Sequence, residues 1–144
     1  MTRHNTLYRN GMVFGVFDGL HPGHQEFLIQ AKRKCLSLII VVARSSIVRE
    51  LKQRSPKHST KARMTALKKY IPDAVVLAGD KTLGSWYILK KYAPDIVFLG
   101  YDQTRLGDAL KVIHQPNLLL KPYQPHKYKS TLLHHQPIKK RQQF

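Results

Sequence analysis

Two histidines three residues apart, His21 and His24, flank a Pro22-Gly23 pair in this 144-residue chain, at a place where a strand gives way to a helix. Met12 to Phe17 is a short β-rich run, Asp18-Gly19 is a turn dipeptide, and Pro22 suits the first helical position, where its missing N–H is no loss. Both imidazoles then stand on one side of the helix's positive end. Gly23 has no side chain, so a bulky anion can approach the first backbone N–H groups while the two rings donate hydrogen bonds to it. The chemistry suggested is that of phosphate. The same spacing suits a pair of metal ligands, although the single Cys35 is distant and no acidic partner shares the helical face. A structural turn with incidental histidines is the remaining alternative, the one without chemistry.

The elements that must position this turn follow from hydrophobic periodicity. Phe27, Leu28, Ala31 and Cys35 recur at helical spacing, with Gln25, Gln30, Lys32 and Arg33 off that stripe. Leu38 to Ala43 is a continuous apolar run of the kind covered on both faces in a parallel sheet, and it ends at Arg44. Ser45 to Ser59 carries Arg49, Lys52, Arg54, Pro56 and Lys57 and reads as a mobile basic loop with helical fragments at best. Thr60 offers a cap for a helix with Met64, Leu67 and Ile71 on its apolar stripe, stopped by Pro72.

Ala74 to Ala78 predicts a third buried strand, Leu83 to Tyr92 a helix ended by Pro94, and Ile96 to Leu99 a fourth strand. Leu106, Ala109, Leu110 and Ile113 form another helical stripe before a fifth strand at Leu118 to Leu120. Buried strands alternating with amphipathic helices predict a doubly wound parallel sheet. Such sheets bind ligands beyond the carboxyl ends of their strands, where the strand order reverses. That rule would bring His21, His24, Arg44 and the Gly100-Tyr101-Asp102 stretch to one edge.

The decapeptide Gly15-Val16-Phe17-Asp18-Gly19-Leu20-His21-Pro22-Gly23-His24 resembles the signature of the cytidylyltransferase-like nucleotidyltransferases, and within them is most similar to FAD synthases, which are FMN adenylyltransferases. The bacterial type shares the Phe-Asp-Gly and the Gln after the second His; the archaeal type resembles this chain over nearly its whole length. Val16 departs from many relatives, which carry a Thr or Asn there that can reach a phosphate. The resemblance implies a Rossmann-like doubly wound sheet of five parallel strands with helices on both faces. It also implies transfer of AMP from ATP to FMN, giving FAD and pyrophosphate.

By the same resemblance, His21, His24 and Lys129 act at the transferring phosphate, and Val16, Phe17, Asp18, Gly23, Arg63, Gly100, Asp102, Ser130 and Thr131 contact the nucleotide. Arg63 would hold the outgoing pyrophosphate. Lys129, Ser130 and Thr131 would close over the triphosphate, although Ser-Thr before an apolar turn is also an ordinary helix cap. Asp18 either caps its turn or helps hold Mg²⁺, and Asp102 either contacts nucleotide or makes a plain turn. Mg²⁺ would be bound through substrate oxygens, with no protein ligand set to read.

Composition bounds the alternatives. The length predicts one domain over 1–135 with a basic tail over 136–144, too short for a second catalytic module. No apolar run approaches a membrane span, and Met1 to Asn5 lacks the apolar block of a signal peptide, so a soluble, cytoplasmic protein is expected. Cys35 has no intrachain partner and reads as a small core residue. The formal net charge of +17 is either a solvated surface or a sign of anionic partners. Three readings of function stay open at this point: FMN adenylyl transfer, the same chemistry on another acceptor such as glycerol-3-phosphate with CTP, and a non-catalytic nucleic-acid-binding protein. Weak nonspecific nucleic-acid binding is compatible with any of them, and a homodimer is expected to be possible.

Overall fold

The computed structural model describes residues 7–122. The Lys129-Ser130-Thr131 motif and the basic tail lie outside the described residues. In chain order the elements are β1 (Tyr8–Gly15), α1 (Pro22–Arg33), β2 (Cys35–Val42), α2 (Ser45–Lys52), α3 (Thr60–Tyr70), β3 (Val75–Ala78), α4 (Tyr87–Tyr92), β4 (Ile96–Leu99), α5 (Thr104–Val112) and β5 (Asn117–Leu119). The strands form one parallel sheet in the order β3-β2-β1-β4-β5, as the alternation predicts.

Strand residues divide by their period of two between the two faces. Val13, Leu38, Ile40, Val42, Val76, Ile96 and Phe98 meet Leu28 and Ala31 of α1 and Leu67 of α3. Met12, Ile39, Val41, Val97 and Leu99 face Leu89 of α4 and Leu110 of α5. The chain changes face after β3, so the order reverses between β1 and β4. β1 pairs with β2 from Tyr8↔Cys35 to Gly15↔Val42, yet with β4 only at Gly11↔Ile96 and Met12↔Val97. The two central strands therefore part toward their carboxyl ends. Gly11 is required beside that pairing, since a Cβ there would lie 2.5 Å from Phe98 Cε2.

Several boundaries differ from expectation. Cys35 opens β2 instead of ending the α1 stripe, because the helix stops at Lys34; the residue is buried nonetheless. Ser45 to Lys52 is a helix and not a loop, started by tertiary bonds: Ser45 N–H donates to Thr60 Oγ1 at 3.0 Å. Ser59, not Thr60, caps α3, its hydroxyl accepting from Ala62 N–H. The helix expected from Leu83 begins at Tyr87. Asp80 gathers the N–H groups of Tyr87 and Ile88, while Gly84 and Trp86 sit at positive φ, 80° and 55°. Edge strand β3 is only partly covered, with Val75 exposed.

Candidate functional site

The carboxyl end of β1 runs into a turn with two left-handed residues, Phe17 (φ 52°) and Leu20 (φ 39°), before α1 begins. Side chains rarely adopt this region, and here burial of Phe17 (3% exposed) holds it in place. Phe17 was expected to touch nucleotide. Its ring lies edge-on to that of His24, centroids 5.5 Å apart, and packs against that imidazole.

His21 is the N-cap of α1. Its Nδ1 accepts from Gly23 N–H at 3.1 Å and from His24 N–H at 3.3 Å. Those are the amides that sequence reasoning offered to an anion, so Gly23 already spends its N–H on the cap. Because Nδ1 is the acceptor, the proton of a neutral His21 sits on Nε2, which becomes a hydrogen-bond donor. The His24 ring stacks on His21 with centroids 3.6 Å apart and planes 20° from parallel. Burial, helped by the neighbouring His21, brings the His24 pKa down to about 4, and burial also lowers that of His21 against the pull of Asp102. Burial thus favours the neutral form of both rings. His24 Nδ1 is buried without a hydrogen-bond partner among the described residues.

Asp18 and Arg63 turn away from the roles expected of them. Asp18 Oδ2 accepts from Lys57 N–H at 2.7 Å, and Oδ1 accepts from His58 N–H at 3.1 Å and lies 2.8 Å from His58 Nδ1. Burial alone would raise its pKa, but these bonds outweigh it and lower it. Arg63 is 1% exposed and spends every donor inside the protein. Nε goes to His58 O, Nη1 to Val16 O and Ala43 O, and Nη2 to the hydroxyls of Ser45 and Thr60, at 2.8 to 3.3 Å. No donor remains for a pyrophosphate, and the expected contact is corrected accordingly. Val16 contributes its carbonyl to this arginine.

Across the sheet, Gly100 and Asp102 follow β4, with Asp102 Oδ1 folded back to 3.3 Å from where a Gly100 Cβ would sit. Burial raises the Asp102 pKa against its own backbone N–H, Lys52 and His21. Lys52, at the end of α2, has its pKa lowered by burial and by Arg54, with Asp102 opposing. Asp102 is thus within electrostatic reach of both His21 and Lys52. Arg44 donates its Nε to Gly79 O at 2.7 Å, just past the end of β3.

Gln103 was not singled out from sequence. It is buried, its Nε2 donates to Phe14 O at 2.8 Å and its Oε1 accepts from Gly100 N–H at 2.9 Å, so it ties the ends of β1 and β4. The sequence signal was only its place directly after Asp102. His58 was likewise passed over within the basic segment.

Fold and site define a Rossmann-like α/β domain with a stacked histidine pair where the strand order reverses. Residues 12–132 match the Cytidylyltransferase-like family, and the chain belongs to it. It is 39% identical to the FAD synthase of Pyrococcus horikoshii over 67 residues, 45% of each chain. It is 51% identical to that of Aciduliprofundum boonei over 43 residues, 30% of this chain and 29% of the other. The matches thus span less than half the length of these relatives. Among solved structures, the chain is similar to the lipopolysaccharide core biosynthesis protein from Thermoplasma volcanium, with a TM-score of 0.69 and 26% identity over 81% of this chain and 99% of that one. Among the described residues, no helix is long and apolar enough to cross a membrane.

Proposed function

We propose that the protein transfers AMP from ATP to FMN, giving FAD and pyrophosphate. The observation that carries this reading is the stacked His21–His24 pair at the strand-order reversal, with His21 Nδ1 accepting from the helix amides so that Nε2 is left as the donor. The acceptor choice rests on the similarity to FAD synthases. An oxygen of the FMN phosphate attacks the α-phosphorus in line, the bond to the bridging oxygen breaks, and its electron pair leaves with pyrophosphate. His21 and His24 hydrogen-bond the α-phosphate and the bridging oxygen as charge builds there, which is where preorganised donors contribute most. Lys52 takes over the pyrophosphate role first expected of Arg63. Gly100 and Asp102 line the nucleotide's side of the cleft, and a triphosphate-binding role for Lys129, Ser130 and Thr131 rests on the resemblance of their motif alone.

Mg²⁺ belongs to this reading as a companion of the triphosphate, whose charge it neutralises. Asp18 gives both its oxygens to the 57–58 backbone, and no group of three His, Cys, Asp or Glu side chains is placed to hold a metal ion among the described residues. The test is to incubate the protein with Mg²⁺ and each nucleoside triphosphate and to screen phosphorylated acceptors for pyrophosphate release. Release with ATP and FMN is expected; release only with CTP and glycerol-3-phosphate would move the assignment to another acceptor.

One observation favours an additional, weaker partner. Arg49, Arg54, Lys57, Lys61, Lys68 and Lys69 are all exposed along α2, α3 and the arm between them, where Glu50 is the lone acidic residue. Sequence-independent nucleic-acid binding at low salt follows. With about six phosphate contacts it would weaken roughly 10³-fold or more over a few-fold rise in salt, whereas ATP binding would fall modestly.

A further inference from the structure

We propose that Asp18, His58 and Arg63 form a clasp that presets the arm between α2 and α3 against the histidine turn, so that Asp18 and Arg63 are positioning residues. The catalytic consequence rests on the adenylyl-transfer reading; the clasp itself does not.

Packing alone does not hold this arm. Residues 53–59 contain no buried side chain, and Gln53 sits at φ 61° as the C-cap of α2. A segment with few apolar anchors opens easily unless polar bonds fix it. Here those bonds converge on His58. Asp18 takes its backbone N–H at 3.1 Å and lies 2.8 Å from its ring Nδ1, and Arg63 Nε donates to its carbonyl at 3.0 Å. The neighbouring Lys57 N–H adds a bond of 2.7 Å to the same carboxylate.

Both gripping residues are anchored at the β1 end. Asp18 belongs to the turn that leads to His21. Arg63 Nη1 holds Val16 O at 3.0 Å and Ala43 O at 2.8 Å, which ties that turn to the end of β2. Asp18 and Arg63 also attract each other electrostatically. The arm and the turn therefore form one hydrogen-bonded unit, although five to forty residues separate the bonded pairs. The unit fixes the Lys57 and His58 backbone against the turn that leads to the histidines, on an arm whose Arg54 and Lys57 are exposed. Ordering a cationic segment in advance removes that cost from binding.

The experiment is limited trypsin cleavage of the full chain without nucleotide or metal, comparing wild type with Asp18→Ala, Asp18→Asn and His58→Phe. Cleavage after Arg54 and Lys57 should rise about tenfold or more in Asp18→Ala, where the carboxylate's charge-assisted bonds are lost. His58→Phe keeps both backbone bonds and should show a rise of a few-fold only. Cleavage after Lys68 and Lys69 within α3 is the internal reference, since global unfolding would raise all four sites together. Asp18→Asn, which keeps one acceptor oxygen, should fall between wild type and Asp18→Ala. In turnover, Asp18→Asn should raise the KM for ATP by a larger factor than it lowers kcat.

Unchanged arm cleavage in Asp18→Ala, or a rise shared equally by α3, would overturn the clasp. So would a fall in kcat at constant KM accompanied by a changed Mg²⁺ requirement, which is what loss of a metal ligand would give. A wild-type protein that releases no pyrophosphate would sink the adenylyl-transfer reading and leave the trypsin result to decide the clasp.

Discussion

Acid should destabilise this protein through His24, and replacing that residue with Asn should remove the effect. Burial and the stacked His21 lower the His24 pKa from 6.5 to about 4. In the unfolded chain the ring takes up a proton below its ordinary pKa; in the folded protein it resists until about 4. Between those values the unfolded state binds more protons, so stability falls as pH falls. The contribution is fully present above the unfolded pKa. From pH 7 to pH 5 the loss integrates to about 2 kcal/mol at most. Urea unfolding followed by circular dichroism at pH 7, 6 and 5 measures it. The wild type should lose about 2 kcal/mol more than His24→Asn over that range. Parallel pH dependences in the two proteins would refute the reasoning, since they would mean that folding does not suppress protonation of His24.

The remaining expectations concern single sites. His21→Ala and His24→Ala should each lower turnover on the order of 10²-fold in the pyrophosphate-release assay. His21→Ala should also cost about 1 kcal/mol in urea unfolding, because the side chain is the α1 cap. Arg63→Ala should destabilise by about 3 kcal/mol or more, leaving the carbonyls of Val16, Ala43 and His58 without this donor, with Arg63→Lys recovering part of it. Gly11→Ala should lower the urea midpoint by the equivalent of about 2 kcal/mol, because its Cβ would collide with Phe98 and Cys35.

The sheet was legible because Met12 to Phe14, Leu38 to Val42 and Ile96 to Leu99 are apolar runs whose alternate residues fill two separate cores; the Tyr8 to Gly11 half of β1, with its Arg9 and Asn10, carries no such signal. Helix α2 was not legible. Ser45 to Lys52 buries only Val48, and what starts the helix is a set of bonds to Thr60 and Arg63, fifteen and eighteen residues away. Local periodicity carries no trace of such partners. The same limit applies to Arg63. In a helix with Lys61, Lys68 and Lys69, an arginine looks like one more surface charge. Only the fold brings three backbone carbonyls around it. His21 and His24 were found because the turn chemistry around them is local. That His21 caps its own helix was legible in principle, since a polar side chain before Pro22 occupies an N-cap position. Asp18 could be placed in a turn from sequence, but not paired with His58, forty residues on.

The side chain of Gln103 does what a rung of the sheet would otherwise do. β1 and β4 stop pairing after Met12 and Val97, and beyond that point one amide spans them, donating to Phe14 O and accepting from Gly100 N–H. The gap between the two strands is therefore gauged by the length of a single residue. Asn is one methylene too short to reach both backbones, and Glu keeps the length but loses the donor. Cleft width in this domain can accordingly be retuned at one position, without rebuilding either strand.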